Sequence, residues 1–223
     1  PATAPTIPSS STIQAAFSSG VASLTTFTLT KAEVLGTITA SDGTLNGTST
    51  SVTVRHTVAS AFVVSASTAT PTAGTAFNLT VLARDASGNT ASGANGGTVY
   101  ASRAFISTSA TTTTPLPVLN PSSYIFVSGD AGTKTLANAV TLNVVENGVT
   151  ITAQNIDGTI TGTVSGLNVS ATTDTTAPTL TNIQASSITS SSVSIAWTTN
   201  ESASSSVEYG TTSSYGSSTA SST

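Results

Sequence analysis

The chain contains a single histidine, His56, set among serines and threonines that supply hydroxyl groups in abundance. A serine nucleophile would need that imidazole as its base and a carboxylate to orient it. His56 instead stands between Arg55 and Thr57 at what reads as a joint between two domains, the setting of a linker histidine. A metal site built on one imidazole would have to be completed by carboxylates. The acidic residues Asp85, Asp130 and Asp157 each sit close to a glycine. Calcium asks for about six to eight oxygens, with acids alternating along one loop. These three acids are isolated, and their backbone-bonding chemistry is that of turns. No catalytic, cofactor-binding or metal-ligating residue is therefore assigned, and no cofactor is expected. Four N-x-[ST] triplets, at Asn46, Asn78, Asn168 and Asn200, are candidate glycosylation acceptors.

Composition narrows the partners. Only 6% of the residues are charged and the formal net charge is −4, so the basic footprint needed for nucleic acid or an anionic membrane is missing. No apolar run approaches the ~20 residues that span a bilayer, and membrane insertion is not expected of this segment. Cysteine and methionine are absent, which suits an oxidising exterior without requiring disulfides. The chain opens at Pro1 without the charged and apolar regions of a signal peptide, as expected if one was removed or lay outside this segment.

The elements that would carry such side chains are strands. AFNLTVLAR, residues 76 to 84, puts Phe77, Leu79, Val81 and Ala83 on one face and Asn78, Thr80 and Arg84 on the other. It runs into DASGN, where Asp85 can bond the following backbone and Gly88 can turn the chain. Similar patterns begin AFVVSAS at Ala61, GTVYAS at Gly97, SSYIFVS at Ser122, AVTLNVV at Ala139, GVTITAQ at Gly148 and SGLNVSA at Ser165. Short strands punctuated by Gly, Pro, Asn and Asp predict an all-β chain built from sandwiches, not βαβ units.

An internal repeat organises the rest. FSSG at Phe17 matches FVSG at Phe126, TITA at Thr37 matches TITA at Thr150, and DGT at Asp42 matches DGT at Asp157. NGTSTSVTV at Asn46 matches TGTVSGLNV at Thr161, with partners about 109 to 115 residues apart. Residues 17–54 thus correspond to the closing strands of a complete unit. An open set of about three strands cannot close a two-layer core. Its apolar face is expected to be covered by missing upstream sequence, a neighbouring copy or the adjacent repeat.

The run STATPTAGTAFNLTVLARDASGNTASGANGGTVY, followed by LPVLNPSSYIF at Leu116 and NGVTITAQNIDGTITGT at Asn147, resembles the Ig-like repeats of large bacterial surface and secreted proteins. From Thr172, DTTAP, VSIAWTTN and VEYGT resemble the start of a fibronectin type III-like domain, with Val193, Ile195 and Trp197 on one face and Trp197 as its core tryptophan. Three segments follow: 1–57, a partial Ig-like repeat behind the Pro/Ser linker Pro1–Ser11; 58–171, a complete Ig-like sandwich; and 172–223, a linker and half of the second domain type, ending in the low-complexity SSYGSSTASST. Residues 101–118 depart from the repeat pattern and read as an inserted surface loop. The resemblance also raises a Lys–Asn amide, with Lys31 and Lys134 in comparable strand regions and Glu33 and Glu146 nearby, although two ordinary surface lysines are the better reading.

The resemblance implies stalk or filament building blocks. The expected function is a non-catalytic structural segment of an extracellular, cell-surface or secreted protein, whose partners are neighbouring copies or repeats and whose half-domains can be completed between subunits by strand addition. A carbohydrate-binding or adhesive module that contacts surface glycans, or the accessory region of a secreted hydrolase, is the alternative. A glycan-binding face would need exposed aromatics, and aromatics make up only 5% of the chain.

Overall fold

The computed structural model describes residues 18–23, 28–35, 37–41 and 43–220. The linker Pro1–Ser11, Phe17 of the first repeat match and Asp42 of the DGT match lie outside the described residues. The described residues are all-β, with 42% of them in strands or bridges, and the chain divides into two compact units, 1–172 and 173–223.

In the first unit the strands are β1 (Glu33–Leu35), β2 (Thr39–Ser41), β3 (Asn46–Thr48), β4 (Val52–Val54), β5 (Ala61–Ala66), β6 (Ala76–Arg84), β7 (Arg103–Thr108), β8 (Val118–Leu119), β9 (Ser123–Ile125), β10 (Thr133–Thr141), β11 (Val149–Gln154) and β12 (Thr161–Leu167). Residues 61–167 form two four-stranded antiparallel sheets, ordered β5-β6-β10-β8 and β12-β11-β7-β9. Alternation fills one core from both. β6 contributes Phe77, Leu79, Val81 and Ala83, β7 contributes Ala104 and Ile106, and β11 contributes Val149, Ile151 and Ala153. Phe62, Tyr100 and Phe126 pack as an aromatic cluster, with Phe62 and Tyr100 edge to face at 5.3 Å between centroids, a preferred aromatic geometry. In β10 a bulge falls between Leu136 and Val140, where Asn138 takes a positive φ of 49°. The Asn78 carboxamide oxygen accepts the Asn138 N–H there, satisfying the donor that the bulge leaves out of the ladder.

Two expectations about this region are corrected. Residues 97–100 form no strand: Tyr100 is buried and its N–H donates to Ala91, so the segment is held in a loop and does not enter a ladder. The run 101–118 is not an inserted loop throughout, because Arg103–Thr108 is an interior strand paired with β11 and β9. Its Ala104 and Ile106 alternate inward as a strand requires. The strand expected at Ala139 starts earlier, at Thr133, and the one expected at Ser165 starts at Thr161.

β1 to β4 form one long hairpin. β1 pairs with β4 and β2 with β3, and between the two ladders Ser49 N–H donates to the Ile38 carbonyl at 2.8 Å. None of the described residues from 18 to 55 is buried. The second unit holds β13 (Leu180–Ser186) paired with β14 (Ser194–Thr199), and β15 (Glu208–Tyr209) paired with β16 (Ser217–Ser218). Ile195 and Trp197 share a half-buried face of β14. Val193 precedes that strand and is exposed. VEYGT pairs with the low-complexity tail segment and not with β14, with Thr219 N–H also donating to Val207.

Candidate functional site

Two places deserve a functional reading: the joint around His56 and the open hairpin. His56 is not an exposed linker residue. It is buried; its Nδ1–H donates to the Thr57 carbonyl and its Nε2 accepts the Gly93 N–H, both at 2.9 Å. Both ring nitrogens are engaged by backbone, so the ring keeps no lone pair for a base or a metal. A Cβ on Gly97 would fall 2.4 Å from Nε2, which is why the 93–97 loop can close over the ring only with glycine there.

Beside His56, Asp85 and Asn89 bind the hairpin's root to the two-sheet core. Buried Asp85 accepts N–H groups from Thr57, Ser87 and Asn89 and the Asn89 side-chain amide, all within 3.2 Å. Burial pushes the Asp85 carboxyl up, but the Asn89 amide and the backbone donors of Thr57, Asn89 and Ser87 outweigh it and hold the pKa below the usual carboxylate value. Asn89 in turn donates to the Thr30 carbonyl at 2.8 Å and accepts the Ala32 N–H at 2.9 Å. A cleft of ≈ 300 Å³ opens here between Lys31, His56, Arg84 and Asn89.

Asp130 is likewise committed to its own turn. Asp130 accepts Val127 N–H, the Tyr124 hydroxyl and Lys134. The Val127 N–H contributes most, with Lys134 and Tyr124 assisting, to a lowered Asp130 pKa against the opposing effect of desolvation. Lys134 also lies 4.6 Å from the centre of the Tyr124 ring. Lys31 pairs with Glu33, while Glu146 accepts the N–H and hydroxyl of Thr111. Lys31 and Lys134 are therefore not in comparable places: one precedes β1 and the other lies within β10. Among the described residues no three His, Cys, Asp or Glu side chains gather as a metal site, and no helix is long and apolar enough to cross a membrane.

Asn46 is exposed at the start of β3 and Asn78 faces outward on β6. Exposed Asn168 accepts Gly148 N–H, and exposed Asn200 accepts the N–H and hydroxyl of Thr179.

The hairpin carries the strongest relation in the molecule. Thr39↔Thr48, Ala40↔Gly47 and Ser41↔Asn46 reproduce, position for position along the repeat, Thr152↔Thr163, Ala153↔Gly162 and Gln154↔Thr161 of the β11–β12 hairpin. Further along, Glu33↔Val54 has its counterpart in Val169 N–H donating to the Glu146 carbonyl at 2.8 Å. Sequence comparison exposed the match but not its register, because register is a hydrogen-bond property. The copied hairpin differs in its surroundings. Ile151 is 0% exposed and its counterpart Ile38 is 39% exposed; among the described residues no second sheet covers β1 to β4. No protein-family model matches the chain, and no curated protein matches it in sequence.

Proposed function

We propose that the chain is a non-catalytic structural segment of an extracellular stalk or filament protein, built from tandem Ig-like β-sandwiches. Residues 58–171 are its complete repeat, 1–57 the closing half of another, and 172–223 the opening half of a fibronectin type III-like domain. The observation that carries this is the hairpin whose register repeats that of β11–β12 while, among the described residues, its apolar face has no opposing sheet. Such a face is a liability in an isolated chain and an asset in an assembly. The joint at Asp85, Asn89 and His56 suits load transfer, since it links consecutive repeats by several partly buried hydrogen bonds and not by a bare linker. The aromatic cluster of Phe62, Tyr100 and Phe126 is internal, which weighs against a glycan-stacking face in this repeat. Asn46, Asn78, Asn168 and Asn200 are proposed as the glycan acceptors of such a surface protein.

Electron microscopy of the native material, with an intact mass of the same preparation, tests this. Regular fibres with a unit of this length, or beaded strands from a heavier chain, are the expected results. Dispersed single particles of the chain's own mass would overturn the proposal. Mass added at the four asparagines and removed by a glycosidase would establish the glycans; an unmodified mass would refute them.

A further inference from the structure

In the complete repeat, the apolar side of the β11–β12 hairpin is sealed at its edge by β5. The contact is close at one residue: a Cβ on Gly162 would lie 2.0 Å from the Phe62 carbonyl oxygen and 2.5 Å from its carbon. Gly162 is therefore needed for the approach of a neighbouring backbone. Its counterpart in the open hairpin is Gly47, opposite Ala40 as Gly162 is opposite Ala153. At Gly47 an added Cβ meets nothing within 4 Å, and the residue does not have a left-handed φ. Neither local conformation nor any described neighbour accounts for glycine there. A strand in the position of β5 would.

The surrounding residues agree. Ile38, Val52 and Val54 stand where Ile151, Leu167 and Val169 stand in the complete repeat, and the latter three are at most 2% exposed. Ile38 is well exposed and Val52 and Val54 are half-buried. Hence the open hairpin keeps the glycine slot and the apolar side chains of a covered face. The occupant of the equivalent face is visible within this same chain: β5, with Phe62 and Val64 turned inward and no charged residue in AFVVSA.

We propose that the face of residues 33–35, 37–41 and 43–54 that no described sheet covers is a docking site for the opening strand of another Ig-like repeat, an extended uncharged segment with the β5 pattern whose backbone passes over Gly47 as Phe62 passes over Gly162. The inference rests on the repeat-segment function proposed above and adds to it the acceptor surface and the chemistry of its occupant.

The test uses the full 223-residue chain and a fluorescent peptide of sequence SAFVVSAS flanked by lysines. Anisotropy is expected to show saturable binding, and amide exchange to slow at residues 37–41 and 46–54. Gly47→Val should weaken binding about tenfold or more, because a branched side chain fills the slot, while leaving the cooperative melt of the chain unchanged. A peptide with aspartate in place of its phenylalanine should lose binding similarly. Absence of saturable binding, wild-type affinity in Gly47→Val, or protection confined to other segments would each overturn the docking site. Fibres or beaded strands in the native material together with a peptide that does not bind would refute this site and leave the structural function standing. Saturable, Gly47-dependent binding with no assembly in the native material would do the reverse.

Discussion

The hairpins of β11–β12 and β1–β4 have nearly the same pairing, yet one is core and the other is surface. Ile151 and Ile38 occupy matching positions on the two, but only Ile151 is sealed from water. Gly162 is wedged under a backbone carbonyl, while a Cβ added at Gly47 would meet no described atom within 4 Å. The difference shows that register is local to a hairpin, whereas burial depends on a second layer. Hydrogen-bond pairing alone does not make a core.

The largest break in this comparison is expected inside the covered repeat. Phe77→Asp places a charge among buried apolar residues and should abolish the cooperative thermal transition, a loss of about 4–5 kcal/mol or more; a preserved transition would show that β6 faces the other way. Next, Ile151→Ala should cost about 2–5 kcal/mol in urea unfolding, as a buried large-to-small change does. Ile38→Ala should cost well under half of that, and equal costs would mean the open hairpin is already covered in solution.

Glycine sharpens the contrast. Gly162→Ala should destabilise by about 1–3 kcal/mol, since the Phe62 backbone must move to admit a methyl group. Gly47→Ala should be neutral or stabilising by about 0.4–1 kcal/mol through the unfolded chain. Reversal of that order in paired denaturation curves would refute the equivalence of the two slots. The smallest effect concerns the joint. Asp85 has its folded pKa below the ordinary value of 3.8, so its contribution is complete above that value and lost as pH falls through the folded pKa. Asp85→Asn should therefore narrow the gap in stability between pH 7 and pH 2. An unchanged gap would remove Asp85 from the joint.

Some of this was legible in residues alone. Alternation along Ala76–Arg84 predicted both the strand and its inward residues, since side-chain direction follows directly from the pleat. The DASGN turn was readable because Asp85 bonds backbone only two and four residues away. The repeat match likewise identified the segment that would lack a cover. Elsewhere local pattern misled. RAFIST alternates as a strand should, but departure from the repeat's usual spacing made residues 101–118 look inserted, and its pairing with β11 and β9 is long-range. GTVYAS alternates equally well and forms no strand.

By itself, the sequence determined what short-range chemistry can determine: an all-β chain, the faces of Ala76–Arg84, the DASGN turn and the existence of a copied hairpin. Only the tertiary structure decided that His56 is enclosed, that β7 is interior, and that Gly162 is sterically required while Gly47 is not. The physical reason is that each of these depends on atoms brought close from distant parts of the chain, which no local period or spacing records.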